Sequence, residues 1–321
     1  MQTRLTEILD IEHPVMLAGM GGVSYQRLVS AVSAAGGFGC LGASAMGYDV
    51  MVEEIAAVRA ATDKPFGVDL LTAAPGDLAR SVEAIAAGGG TTFVAGLGVP
   101  RDVIDLCHDK GLLVINMCGK VRHAIAAVEA GCDIVVAQGT EAGGHTGQVA
   151  TLALVPQVVD AVGDRVPVVA AGGISDGRGL AAALGLGADG VWVGTRFIAT
   201  PEARSVTGYK EKLLALAEDE TVVTRAYTGK TCRVIRNDYT NEFDAAGGVA
   251  EPFPGQYVRS LKDGANHLGG DERTEGVDPD REFMPAGQGA GMIAELVPAA
   301  EIVTSMVAEA EAVIDRLAAL R

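Results

Sequence analysis

Short apolar runs rich in β-branched residues recur along the chain roughly every 25 residues, at 14–20, 38–43, 66–71, 92–97, 112–118, 133–139, 166–172 and 190–197. They lack the in–out alternation of a sheet with one wet face. A strand that is apolar on both faces belongs to a parallel sheet covered by helices. Between the runs lie alanine-rich segments with helical spacing, which predicts helices over 25–35, 49–62, 77–87, 100–110, 121–130, 150–162 and 177–185. Several end at glycine, as at Gly36, Gly111 and Gly131, the residue type that closes a helix in the left-handed conformation. Eight strand-then-helix units within about 250 residues predict a TIM (β/α)8 barrel rather than a doubly wound sheet.

The alternation stops near Pro201. One amphipathic helix is expected over 209–218, followed by polar sequence in which Gly247-Gly248, Pro252, Pro254, Gly269-Gly270 and the acidic run 271–280 read as loops, not strands. Helical spacing resumes over 293–320. The expected organisation is a barrel over 1–198, an inserted lid or substrate region over 199–290, and a C-terminal helix over 291–321 that packs on the barrel wall. Long insertions of this kind are usually lids or binding elements.

Composition narrows the partners. The 321 residues carry a net charge of −16, which excludes nucleic acid and anionic membrane surfaces as natural partners. No apolar run approaches the ~20 residues of a membrane span. The opening residues 1–7 are charged and lack the apolar core of a signal peptide, so a cytoplasmic protein is expected. The sequence is compatible with a homo-oligomer and does not specify one. Cys40, Cys107, Cys118, Cys132 and Cys232 include no CxxC pair. No disulfide, structural zinc or thiol nucleophile is expected, and Cys118 alone is placed to line a site.

The segment 137–147 holds the densest chemistry. An apolar strand runs into a glycine-rich loop carrying Gln138, Glu141, Gly143 and His145. Glycines let backbone approach a ligand closely, and the C-terminal ends of barrel strands are where such folds place their sites. Glu141 either orients the loop around His145 or is a solvated carboxylate. Two further glycine loops, 171–177 with Gly172 and Gly173, and 194–197 with Gly194 and Thr195, follow the seventh and eighth strands. Loops at those two positions commonly bind phosphate through unpaired backbone N–H groups, so a phosphate-bearing ligand is expected. Ala18, Gly19 and Met20 close the first strand with backbone on which a flat ring could lie. Asp69 interrupts an apolar strand, where a carboxylate is costly unless it is paired or sits at the strand mouth. Gln138 is expected in the same layer. His13, His108, His123 and His267 read as surface or structural residues, and no cluster suggests a metal.

With these residues placed, the chain resembles the nitronate monooxygenase family (2-nitropropane dioxygenases) and its relatives, the flavin-dependent enoyl-ACP reductases. The likeness is carried by 3–7 with His13-Pro14, 34–39, 62–68, 138–145, 170–177, 194–197 and 286–291. The resemblance implies a TIM barrel holding FMN. It implies that Ala18, Gly19 and Met20 present backbone to the isoalloxazine, and that Gln138 and Gly143 contact the flavin or its ribityl chain. Gly172, Gly173, Gly194 and Thr195 would hold the phosphate, and His145 would be the active-site histidine. Two positions depart from the pattern. Asp69 stands where relatives usually carry asparagine, and the aromatic residue often found shortly after Met20 is missing. An ionised carboxylate cannot donate to a flavin carbonyl as an amide can.

The activity implied first is oxidation of an alkyl nitronate or nitroalkane with O2 to a carbonyl compound and nitrite, with His145 as base. Two other readings stay open. One is an NAD(P)H-dependent reductase of an enoyl thioester or quinone, favoured by the region 209–243. The other is a non-catalytic barrel that binds a phosphorylated ligand.

Overall fold

Buried on both faces, the apolar runs form strands where the pattern places them. The computed structural model describes residues 1–72, 77–96 and 98–320. Its strands are β1 (Val15–Leu17), β2 (Gly39–Gly42), β3 (Phe66–Leu71), β4 (Thr92–Gly96), β5 (Leu113–Cys118), β6 (Ile134–Gln138), β7 (Gly144–His145), β8 (Val168–Ala171), β9 (Gly190–Val193), β10 (Thr221–Thr224) and β11 (Cys232–Ile235). Eight of them pair in parallel in the order β1-β9-β8-β6-β5-β4-β3-β2. The ends then meet, because Met16 bridges Phe38 and the Leu17 N–H donates to the Phe38 carbonyl at 2.8 Å. The sheet is a closed TIM barrel.

Strand alternation splits the core in two. Met16, Phe38, Cys40, Val94, Ile115, Ile134, Val136, Val169 and Trp192 fill the barrel interior. Their neighbours along each strand face outward and pack on the helices. The helices Gln26–Ala34, Tyr48–Ala61, Leu78–Ala87, Arg101–Asp109, Val121–Ala130, Thr151–Val162 and Gly177–Gly185 lie close to their predicted bounds. Asp77 and Asp176 cap two of them by accepting N–H groups of the first turn, and Gly131 ends a third at φ 111°. The C-terminal helix Ala299–Ala318 packs on Gly177–Gly185 and on Gln26–Ala34, taking the wall position of an eighth helix. A Cβ at Gly177 would meet its backbone, and Glu309 accepts the Gly177 N–H at 2.8 Å.

The positions read as loops after Pro201, Gly247-Gly248, Pro252, Pro254, Gly269-Gly270 and 271–280, lie in loops. Around them the insertion holds elements that the polar sequence did not announce: β10 and β11 form an antiparallel pair, and the helices Asp238–Ala245 and Gly255–Lys262 follow. These strands have only four residues each and polar flanks, so their β-branched character is diluted. Three other expectations are corrected. The first strand ends at Leu17, which leaves Ala18–Met20 as loop, and the eighth parallel strand ends at Val193 before a helical turn Thr195–Ile198. The last helix begins at Ala299 and not near residue 293, since Pro298 sits at its N-cap. Leu97, placed at the end of the fourth run, lies outside the described residues.

Candidate active site

The glycine-rich loop after β6 is held from several sides. The Gln138 side-chain amide donates to the His145 carbonyl at 2.7 Å. Glu141 accepts from the N–H and hydroxyl of Thr151, each at 2.9 Å, and so fastens the loop to the next helix. It is the orienting carboxylate of the two readings. The loop also reaches into the insertion. β7 pairs antiparallel with β11, His145 opposite Cys232, and the buried Arg233 guanidinium donates to the Thr140 carbonyl at 2.9 Å. A two-residue strand gives no sequence signal, and this contact between loop and insertion was not foreseen.

His145 Nε2 lies 3.1 Å from the Thr228 hydroxyl, which in turn lies 3.2 Å from the Lys230 carbonyl. A hydroxyl has one proton to give. When the Lys230 carbonyl takes it, Nε2 must carry the ring proton, and Nδ1 is left with its lone pair. Burial, helped by the nearby Lys230 charge, holds the imidazole pKa below its ordinary value. The ring is therefore neutral near pH 7, a form that accepts a proton.

All eleven residues singled out for chemistry line one cavity of about 1000 Å³ at the C-terminal ends of the barrel strands. Ala18, Gly19, Met20 and Asp69 lie on one side of the strand order, Gln138, Gly143 and His145 on another, and Gly172, Gly173, Gly194 and Thr195 on a third. Gly172 and Gly173 adopt φ of 106° and 72°, a conformation that favours glycine. Among the described residues, the backbone N–H groups of Gly19, Gly173, Gly194 and Thr195 donate to no protein acceptor. Unpaired donors around glycine are what an anion requires. A strap at 286–289 packs against this cradle. Thr195 Oγ1 accepts the Gly287 N–H at 2.9 Å, Ser175 donates to the Gly289 carbonyl at 2.9 Å, and a Cβ on Gly143 would come within 2.8 Å of the Gly287 nitrogen. The open N–H groups, the strap and the cavity size suit a phosphate-bearing cofactor.

The insertion contributes residues that sequence reasoning missed. His267, read as a surface residue, lines the cavity with its Nδ1 at 2.6 Å from the buried Glu282 carboxylate. Glu282 also accepts the His267 N–H at 2.7 Å. Arg225 and Lys230 of the insertion line the cavity too, and the barrel adds Lys120 and His123 after β5. Cys118 is there as expected, its thiol pushed up to about 12 by burial and chemically quiet. Asp69 makes no hydrogen bond to a described residue, and burial pushes its carboxyl up to about 8. Among the described residues no cluster could hold a metal, and no helix is long and apolar enough to cross a membrane.

A closed TIM barrel with its cavity at the C-terminal ends of the strands carries its candidate site where enzymes of this fold place their chemistry. The chain belongs to the nitronate monooxygenase family, whose model matches residues 2–309. It is 36% identical to a (3aS,4S,5R,7aS)-5-hydroxy-7a-methyl-1-oxo-octahydro-1H-indene-4-carboxyl-CoA dehydrogenase of Mycobacterium tuberculosis (strain ATCC 25618 / H37Rv), over 97% of this chain and 96% of that protein. FabK from Thermotoga maritima superposes with a TM-score of 0.88 at 35% identity, over 100% of both chains. Nitroalkane oxidase from Streptomyces ansochromogenes does so with a TM-score of 0.82 at 30% identity, over 97% of this chain and 100% of that one.

Proposed function

We propose that the protein is an FMN-dependent oxidoreductase of acyl thioesters, with His145 moving the proton at the carbon beside the thioester carbonyl. The observation that carries this reading is the charge of the cavity. A chain of net charge −16 places Lys120, Arg225 and Lys230 around it, and none of the three has a carboxylate partner among the described residues. The two carboxyl groups in the lining do not offset them: Asp69 is largely uncharged near pH 7, and Glu282 is engaged by His267. Cations gathered on an acidic protein suit the phosphates of a nucleotide-bearing substrate or electron donor. A nitronate, with one negative charge and no phosphate, calls for fewer cations than these three supply. The full-length likeness to a CoA-ester dehydrogenase supports the same choice.

Gly172, Gly173, Gly194 and Thr195 would hold the single phosphate of FMN, while Ala18, Gly19 and Met20 would offer backbone to the ring. When bound, the flavin supplies hydride transfer. The α-hydrogen of a thioester is acidic enough for a positioned imidazole. Nδ1 of His145 accepts it in the oxidative direction and returns it in the reductive one. The Thr228 hydroxyl fixes the tautomer for that work, and Gln138 fixes the loop. Nitronate oxidation is the second reading, favoured by the same neutral imidazole, which suits removal of a proton beside a nitro group. Saturated and enoyl-CoA esters, NADH, NADPH and a nitronate, each mixed anaerobically with the flavin-loaded protein, test the choice. Redox exchange with a CoA thioester supports it. Response to a nitronate alone overturns it.

A further inference from the structure

Asp69 is a cavity-wall polar group that no described residue engages. Strand alternation turns it inward together with Gly67, whose position abuts the Phe38 ring of the barrel interior. It follows three fully buried residues of β3 and pairs with Gly42 on one side and Val94 on the other. Its nearest loop neighbour is Gly19, where an added Cβ would come within 2.8 Å of Oδ2. The carboxyl thus borders the backbone proposed to support the flavin ring. The titratable group facing it from β2 is Cys40, whose thiol stays protonated through burial. β4 brings Val94, and the first loop brings only glycine and Met20. No described cation pairs with Asp69.

A carboxylic acid has the outline of a carboxamide and one donor of its own. Ionised, it loses that donor and sets a negative charge against a flavin that already carries phosphate. Resting on the flavin reading, we propose that Asp69 works as an undissociated acid that donates a hydrogen bond to an acceptor of the bound flavin, so that its ionisation releases the cofactor at alkaline pH. Burial supplies the required state, since a carboxyl pushed up to about 8 is mostly protonated at neutral pH. The acid therefore keeps a donor near neutrality and adds a pH response that a carboxamide would lack.

The size of the response follows from linkage. If only the protonated form binds, Kd scales as one plus the ratio of ionised to protonated Asp69. Between pH 7 and pH 9.5 the affinity should then fall about 30-fold for a group titrating near 8. The flavin phosphate is fully ionised across that window, with a second pKa of about 6. His145 stays neutral there. The cavity lysines act equally in any Asp69 variant.

The test titrates FMN into the apoprotein from pH 6.5 to 9.5, following quenching of flavin fluorescence, with circular dichroism to verify the fold. The wild type should lose affinity about 30-fold over the upper part of the range. Asp69→Asn should bind at the neutral wild-type strength throughout. Asp69→Leu, of similar size and without a donor, should bind weakly at every pH. A wild-type Kd that is flat with pH, or the same rise in Asp69→Asn, overturns the proposal and leaves the flavin assignment standing. Failure of FMN to bind the wild type at any pH overturns both.

Discussion

Gly194→Val isolates the phosphate cradle from the fold. Gly194 sits at φ −106° and ψ −75°, so a side chain brings no left-handed penalty. Its Cβ would meet Met20 Sδ at 3.3 Å and Ala18 Cβ at 3.5 Å, a contact that a flexible methionine can relieve. The barrel should therefore lose under about 1 kcal/mol, in the range of substitutions that strain no special feature. In the proposed phosphate site, however, the valine methyls would crowd the space through which phosphate oxygens reach the N–H groups of Gly194 and Thr195. A hydrogen bond to a charged group contributes about 1.5–3 kcal/mol, so losing two costs about 3–6 kcal/mol. At 1.4 kcal/mol per tenfold, that weakens FMN by about 10²- to 10⁴-fold. Titration with FMN and with riboflavin, beside a thermal melt, provides the assay. The variant should melt near the wild type, bind FMN poorly and lose the preference for FMN over riboflavin. Retention of that preference at near-wild-type affinity would refute the placement of the phosphate. Gly172→Ala is the contrasting case: at φ 106°, with a Cβ 2.7 Å from Thr151 Oγ1, it should damage the loop itself.

Other consequences are equally specific. His145→Ala should keep FMN and lose turnover by roughly 10²- to 10⁴-fold, the range of a positioned general base, as read by steady-state kinetics. Thr228→Val removes the Nε2 partner without changing size, and kcat should fall about 2- to 10-fold, the worth of one net hydrogen bond of 0.5–1.5 kcal/mol, with flavin affinity unchanged. Because burial lowers the His145 pKa, proton abstraction should persist below the ordinary histidine range and fail only as pH falls through the depressed value. The pH profile of kcat in the oxidative direction checks this, and a loss already complete at pH 6.5 would contradict it. Arg225→Gln should raise KM for a CoA thioester, and raise it less at high salt, while leaving KM for the corresponding pantetheine thioester unchanged.

The barrel was legible because strands buried on both faces and alanine-rich helices leave different periodicities, and their alternation survives without tertiary information. The strand ends were less so. Ala18–Met20 and Gly194–Phe197 continue the apolar pattern after the backbone has left the sheet, since loops at the mouth are half-buried too. Most cavity residues on the barrel could be read from glycine clusters and misplaced polar groups, with Asp69 the plainest case, while Lys120 and His123 left no such signal. Those from the insertion could not be read either. His267 sits in glycine-rich sequence beside an acidic run, and its partner Glu282 lies fifteen residues on at 1% exposure, a pairing that only folding creates. The pairing of β7 with β11 is also long-range, so the tie between the histidine loop and the insertion leaves no local trace.

Acyl-thioester chemistry is tested most directly by what exchanges electrons with the bound flavin. Purified protein reconstituted with FMN, reduced anaerobically with NADPH or NADH and then mixed with an enoyl-CoA, reports this through its visible absorbance. The enoyl-CoA should restore the oxidised flavin spectrum while being converted to the saturated thioester, and His145→Ala should slow this step more than the preceding reduction. A reduced flavin indifferent to every CoA thioester, in a protein that oxidises a nitronate with O2, would contradict acyl-thioester chemistry.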